Sequence, residues 1–254
     1  MLLWSFEGDA LGCGRDAGAF DTLGGHSGGD TPLPIPNREV KPASADGTRG
    51  ASPRESRTPP SLHEGRRKAA FVVRRLHAVE LRDDAIVLRP WHVDDAPAVE
   101  AACQDPEIPH WIPFVPRTYT REDAETYLQA CIESGAERHA FAIVDAGTGE
   151  LLGSIDMGVN AHDYRGHIGY WIAAPARGRG VCTRALLRIS RWAFAELELQ
   201  RLELITDSEN VASQRVAEKV GFRREGVLRA HLRHPDGRIR DSVMFSLLPG
   251  ELGD

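Results

Sequence analysis

The residues of this chain best suited to chemistry are Arg177-Gly178-Arg179-Gly180-Val181-Cys182-Thr183. Before them, Ile168-Gly169-Tyr170-Trp171-Ile172-Ala173 is rich in β-branched and aromatic residues, and Pro175, which lacks an N–H, closes the run. After them, Cys182, Leu186, Ile189, Ala193 and Leu197 recur at three- and four-residue spacing, while Arg184, Arg188 and Arg191 fall on another face. The pattern predicts a strand, a glycine turn and a helix that packs on a sheet. The unpaired amides of such a turn and the positive end of the helix dipole suit a pyrophosphate, and the glycines let the backbone approach it. The plainer reading is a surface turn with solvated arginines.

The sequel narrows the choice. A strand from Arg201 to Thr206 leads into Asp207-Ser208-Glu209-Asn210-Val211-Ala212-Ser213-Gln214-Arg215-Val216-Ala217-Glu218-Lys219-Val220-Gly221-Phe222. Here the chain resembles the GNAT family of acyl-CoA N-acyltransferases. The family pattern Q/R-x-x-G-x-G/A reads as Arg177, Gly180 and Cys182, with cysteine where glycine or alanine is usual. Asn210, Ser213, Lys219, Gly221 and Phe222 are similar to the N-x-x-S, K-x-G-F run of the branch that includes ribosomal-protein N-terminal acetyltransferases. The resemblance runs from about Ile86 to Leu248.

What it implies is transfer of acetyl from acetyl-CoA to a primary amine, with no metal. That chemistry needs a held thioester, donors for the carbonyl oxygen and a base for the attacking ammonium. The resemblance assigns the cofactor's pantetheine arm to the backbone of Ile172 and Ala173. It assigns the pyrophosphate to the turn Arg177, Gly178, Arg179, Gly180, Val181, Cys182 and Thr183, and sets Asn210 beside the cofactor. Many members carry a glutamate base near the start of the central strand, in a run like A-E-I-G-Y; here Gly166-His167-Ile168-Gly169-Tyr170 puts His167 in its place. Imidazole titrates near neutrality and can do the same work, although a strand histidine with no role is an equal reading. Asp156 is the alternative base or acceptor anchor. Other branches have a tyrosine acid seven residues after the asparagine, where this chain has Ala217. Ser213 is the nearest matching hydroxyl for the leaving thiolate, and helix capping is its rival role. A helix N-terminus would lower the Cys182 thiol pKa, yet direct transfer leaves a covalent role without a task.

The elements that must position these residues read as an α/β fold: a mixed, mostly antiparallel sheet flanked by helices, in the order β-α-α-β-β-β-α-β-α-β-β. Ile86 to Arg89 is a strand ended by Pro90, and Asp94-Asp95 open a helix to about Cys103. Asp105 to Tyr119, with four prolines among Trp111, Ile112, Phe114 and Val115, is an irregular apolar loop: a lid over the core or a wall of the acceptor site. Thr120 with Asp123 caps a helix that Gly135 ends. His139 to Asp145 and Leu151 to Asn160 form a hairpin, and Val227 to Arg233 and Arg238 to Leu248 another around His234-Pro235-Asp236-Gly237. On the central strand, His167, Gly169, Trp171 and Ala173 alternate with Ile168, Tyr170 and Ile172.

The chain has 254 residues, of which 41% are hydrophobic, and residues 1–78 are crowded with Gly and Pro without an apolar period. We read them as a disordered extension and 79–254 as the acetyltransferase domain; the basic Arg66-Arg67-Lys68 is read as a solvated run. The opening Met1-Leu2-Leu3-Trp4-Ser5-Phe6-Glu7 lacks a signal-peptide pattern, and no long apolar run suits a membrane span, which points to the cytoplasm. Cys13, Cys103, Cys131 and Cys182 share no spacing that implies disulfides or zinc, and His231 with His234 makes no metal motif. A net charge of -6 disfavours nucleic acid. The partners expected are acetyl-CoA and an amine acceptor, a protein N-terminus ahead of an aminoglycoside or polyamine. A homodimer is compatible with the sequence. From another class, a non-catalytic acyl-CoA-binding regulatory module is the rival that Ala217 and His167 keep open.

Overall fold

A computed structural model of the protein describes residues 79–253, Pro235 excepted. The extension expected over residues 1–78 lies outside the described residues.

The described residues hold eight strands in one sheet, ordered β1-β2-β3-β4-β5-β6-β8-β7. They are β1 (Leu81–Arg82), β2 (Ile86–Pro90), β3 (Arg138–Asp145), β4 (Leu151–Asn160), β5 (Arg165–Ile172), β6 (Arg201–Asp207), β7 (Arg223–Arg233) and β8 (Ile239–Leu247). The helices are α1 (Ala96–Cys103), α2 (Glu107–Trp111), α3 (Arg121–Ile132), α4 (Val181–Glu196) and α5 (Val211–Val220). Every strand pair is antiparallel except β5 with β6, where α4 makes the crossover that a parallel pair requires. The expected order holds, with two additions. One is the two-residue β1, too short for a period-two signal; the other is α2, inside the segment expected to be irregular.

Alternation along the strands gives the sheet two apolar faces. Ile155, Met157, Ile168, Leu202, Leu204 and Phe245 point to one, where α4 contributes Val181, Leu186 and Ile189 and α5 contributes Ala217 and Val220. Val87, Ala142 and Val144 point to the other, beneath Val99 of α1, Ile108 of α2 and Leu128 of α3. Helix α3 begins where Thr120 accepts from the Asp123 amide and Asp123 reaches back to Thr120, the capping box expected from the sequence. Its end differs: the helix stops at Ile132, and Ser134 Oγ donates to the Cys131 and Arg138 carbonyls before Gly135 is reached. The helix expected from Asp94-Asp95 opens there as a 3-10 turn, Val93–Asp95, that runs directly into α1, and Asp95 forms a two-pronged bond with Arg89 of β2 and accepts from the His92 amide.

Gly221 ends α5 in the left-handed region, at φ 103°, and a Cβ there would lie 2.6 Å from the Glu251 carbonyl oxygen. Left-handed strain and overpacking each cost about 1–2 kcal/mol. Gly221→Ala should therefore lose about 2 kcal/mol or more in a urea melt; an unchanged midpoint would show that this C-terminal cap is not under constraint.

Candidate active site

Strands β5 and β6 pair over only four residues, from Arg165 opposite Arg201 to Ile168 opposite Leu204. Beyond that point β5 stays with β4 as far as Ile172, and β6 stays with β8 as far as Asp207. The sheet therefore opens into a slot between its central strands. A cavity of about 140 Å³ occupies the opening, lined by Ile168, Gly169, Tyr170 and Trp171 from one side and by Leu204, Ile205, Thr206 and Asp207 from the other. Asn210 and Ser213 of α5 close one wall, and Trp111 to Val115 close another. In the apolar segment Asp105 to Tyr119, Ile108 packs into the core while Trp111 to Val115 line the cavity.

At the far end of β5 the chain turns toward α4. The N-terminus of α4 is capped by Gly180 at φ 78°, with Gly178 also left-handed at φ 72°, and no side chain caps its first amides. A Cβ on either glycine would meet nothing within 4 Å, so the space above these amides is open. An uncapped helix start with open space over it fits a pyrophosphate. Val181 turns its side chain into the core, leaving only its backbone for a ligand. Thr183 and Gly180 border a second, shallow groove of about 440 Å³ that also holds Arg184, Arg188 and Lys219.

Two of the expected cofactor residues are employed differently. Arg177 ion-pairs with Asp105 and donates its Nε to the Ile172 carbonyl at 3.1 Å, so its side chain straps the lid segment to the end of β5. Arg179 is exposed. Ala173 commits both backbone groups within the protein: its amide donates to Leu152 and its carbonyl accepts from Ala176, both at 2.9 Å. By alternation, the amides that turn from β4 toward the slot are those of Ile172 and Tyr170.

Asn210 caps α5, its Oδ1 accepting from the Ser213 amide at 3.0 Å. The Ser213 hydroxyl is therefore not the cap; it lies 2.9 Å from Tyr170 Oη. The Tyr170 hydroxyl also touches the Cys182 thiol, and burial pushes both groups well above their ordinary ranges. This corrects the expectation for Cys182: removal from water outweighs the helix dipole, and the thiol stays protonated.

Elsewhere in the slot, Asp156 lines the cavity and takes two bonds from Arg138 on its Oδ2, from Nε at 2.9 Å and from Nη2 at 2.7 Å. Burial raises its pKa against the pull of Arg138. His167 shares that sheet face, two residues nearer the start of β5, but is not among the residues that line the cavity. Burial lowers its pKa, Asp156 and Glu203 pull it back up, and His231 adds to the fall. The structure thus gathers Asp156, Asn210 and Ser213 around one opening and sets His167 behind Asp156. Sequence reasoning missed Arg138, Tyr170, Asp207 and Arg240. Alternation in Ser154-Ile155-Asp156-Met157 places Asp156 on a polar face, but its partner comes from another strand. Among the described residues, no group of three or more His, Cys, Asp or Glu side chains is placed to hold a metal ion, and no helix is long and apolar enough to cross a membrane.

The family model described as Acetyltransferase (GNAT) domain matches residues 85–223. The chain is 34% identical over 133 residues to the "Putative ribosomal N-acetyltransferase YdaF" of Bacillus subtilis (strain 168), covering 50% of this chain and 72% of that protein. It is 27% identical over 175 residues to the "Uncharacterized N-acetyltransferase p20" of Bacillus licheniformis, covering 67% of this chain and 97% of that one. Among solved structures, Mycobacterium smegmatis RimJ in complex with CoA-disulfide aligns with a TM-score of 0.60 at 26% identity, over 69% of this chain and 88% of that one. The matched span runs from β2 through the parted strands and the glycine turn to the K-x-G-F run at the end of α5, and by it this chain belongs to the GNAT acetyltransferase family and is an acyltransferase.

Proposed function

We propose that the protein acetylates the α-amine at a polypeptide N-terminus, with acetyl-CoA as donor. The observation that carries this reading is the charge balance of the acceptor side of the cavity, where Asp156 and Asp207 are matched by Arg138 and Arg240. A polyamine or aminoglycoside keeps further cations beside the reacting amine and would call for a surplus of acids; two arginines repel it. A polypeptide N-terminus presents one cation followed by neutral peptide groups, and Trp111, Ile112 and Phe114 offer its first side chain an apolar wall. The ribosomal name of YdaF and the likeness to RimJ support the same choice.

The amides of Gly180 to Thr183 would hold the pyrophosphate, and the Ile172 amide the pantetheine arm. Acetyl-CoA held there supplies an acetyl thioester. Asp156 accepts the proton of the incoming ammonium, its raised pKa bringing a carboxylate closer to the task, while Arg138 fixes its orientation. His167 acts behind Asp156 as a positioning group. With Ala217 lacking a hydroxyl, Ser213 and Tyr170 are the hydroxyls that return a proton to the slot.

A thiol-release assay with acetyl-CoA against peptides bearing free N-termini, polyamines and aminoglycosides tests the reading. Peptides should be turned over at least tenfold more efficiently than the polycations. Equal or better use of a polyamine would overturn it.

A further inference from the structure

Asp207 ends β6 opposite Ser242 of β8, and Arg240, two residues before Ser242, reaches the same face of the sheet. Both residues are buried, Asp207 at 2% and Arg240 at 8% exposure, and both line the cavity. Each is half satisfied. Asp207 Oδ1 accepts from the Glu209 amide at 2.8 Å, and Arg240 Nη1 donates to the Trp111 carbonyl at 3.0 Å. Their closest approach, Nη1 to Oδ2, is 3.6 Å, beyond hydrogen-bond length. Asp207 Oδ2 and Arg240 Nε, each buried, have no hydrogen-bond partner among the described residues.

A buried ion pair is tolerated when further hydrogen bonds satisfy its remaining atoms, and each unmet atom carries a desolvation penalty. Here one oxygen of the anion lacks a donor and one N–H of the cation lacks an acceptor, both on residues that line the cavity. A group that meets both must bring a donor and an acceptor together on one side. A polyamine brings only donors, and a carboxylate only acceptors. An extended polypeptide residue, whose own N–H and C=O point to the same side, brings both.

Resting on the polypeptide reading above, we propose that Asp207 and Arg240 recognise the backbone of the residue that follows the reacting one, Asp207 Oδ2 accepting from that residue's N–H and Arg240 Nε donating to its C=O. The pair then separates polypeptide N-termini from simple primary amines, and it holds the acceptor from the side of the slot opposite Asp156. Because Arg240 also holds the Trp111 carbonyl, the recognition group and the lid wall are set in place together.

The test uses the full chain, acetyl-CoA and three acceptors: a peptide with a free N-terminus, the same peptide with its first amide replaced by an ester, and an alkylamine of similar apolar bulk. The ester keeps the carbonyl but removes the N–H, so wild-type kcat/KM should fall about tenfold to a hundredfold for it, and further for the alkylamine. Asp207→Ala should use amide and ester alike, a loss of discrimination that a merely structural role would not produce. Equal use of amide and ester by the wild-type protein overturns this inference and leaves acetylation of polypeptides standing. Turnover of the alkylamine without turnover of either peptide overturns the polypeptide reading and the inference with it. The wild-type comparison stands whether or not the variant folds.

Discussion

Gly180→Glu should reduce acetyl-CoA affinity about a hundredfold to a thousandfold while the domain stays folded. Gly180 sits at φ 78° at the start of α4 with open space above it, so a side chain there costs about 1–2 kcal/mol of left-handed strain and meets no clash. A carboxylate next to uncapped amides is itself favoured by the helix dipole, which offsets part of that strain. The same favourable site is then lost to the pyrophosphate, and the two negative charges, about 4 Å apart near the protein surface, repel by about 4 kcal/mol. Gly180→Ala is the control, since it carries the backbone strain without the charge and should keep most of the affinity. Calorimetric titration with acetyl-CoA, alongside thermal melts of both variants, separates the two effects. Equal affinity for the glutamate variant and the wild-type protein would remove the phosphate from this turn.

Much of this was legible from spacing alone, because the signals are local. The apolar period from Cys182 to Leu197 and the two glycines before it specify a helix start that needs left-handed backbone, and the structure has φ above 70° at both. The Thr120 and Asp123 pair and the P-D-G turn likewise act within a few residues. Position of the fold's opening was not legible in this way. Strands β5 and β6 each read as complete strands; that they pair for four residues and then part depends on which outer neighbour each keeps. The charged lining of the cavity was the least legible part. Arg138 meets Asp156 across a hairpin, and Arg240 meets Asp207 across more than thirty residues of chain, so neither pair leaves a spacing to find. His167 stood out for the opposite reason, since it occupies the position of a motif glutamate, whereas the cavity is lined by the carboxylate two register positions further on.

That contrast is decided by comparing Asp156→Asn with His167→Ala. Asparagine keeps the shape of the side chain and an oxygen for Arg138, but it cannot take a proton, so turnover should fall about a hundredfold to ten-thousandfold with acetyl-CoA affinity unchanged. His167→Ala should fall about tenfold, through loss of a buried neighbour of Asp156. The pH dependence carries the stronger test. Burial raises the Asp156 pKa, so the wild-type rate should decline on acidification at a pH above the ordinary carboxylate range, as the base becomes protonated. Stability should move the other way: because the folded state binds this proton more tightly than the unfolded chain, the contribution of Asp156 to stability grows as pH falls through its folded pKa. The asparagine variant should lack both the kinetic limb and that stability gain. His167 has its pKa lowered by burial, so its imidazole is neutral near pH 7 and its protonation limb would lie below the ordinary histidine range. In His167→Ala the Asp156 limb should therefore persist. A normal rate for Asp156→Asn from pH 6 to 9, with a hundredfold loss in His167→Ala over the same range, would reverse the two roles and make the histidine the proton acceptor.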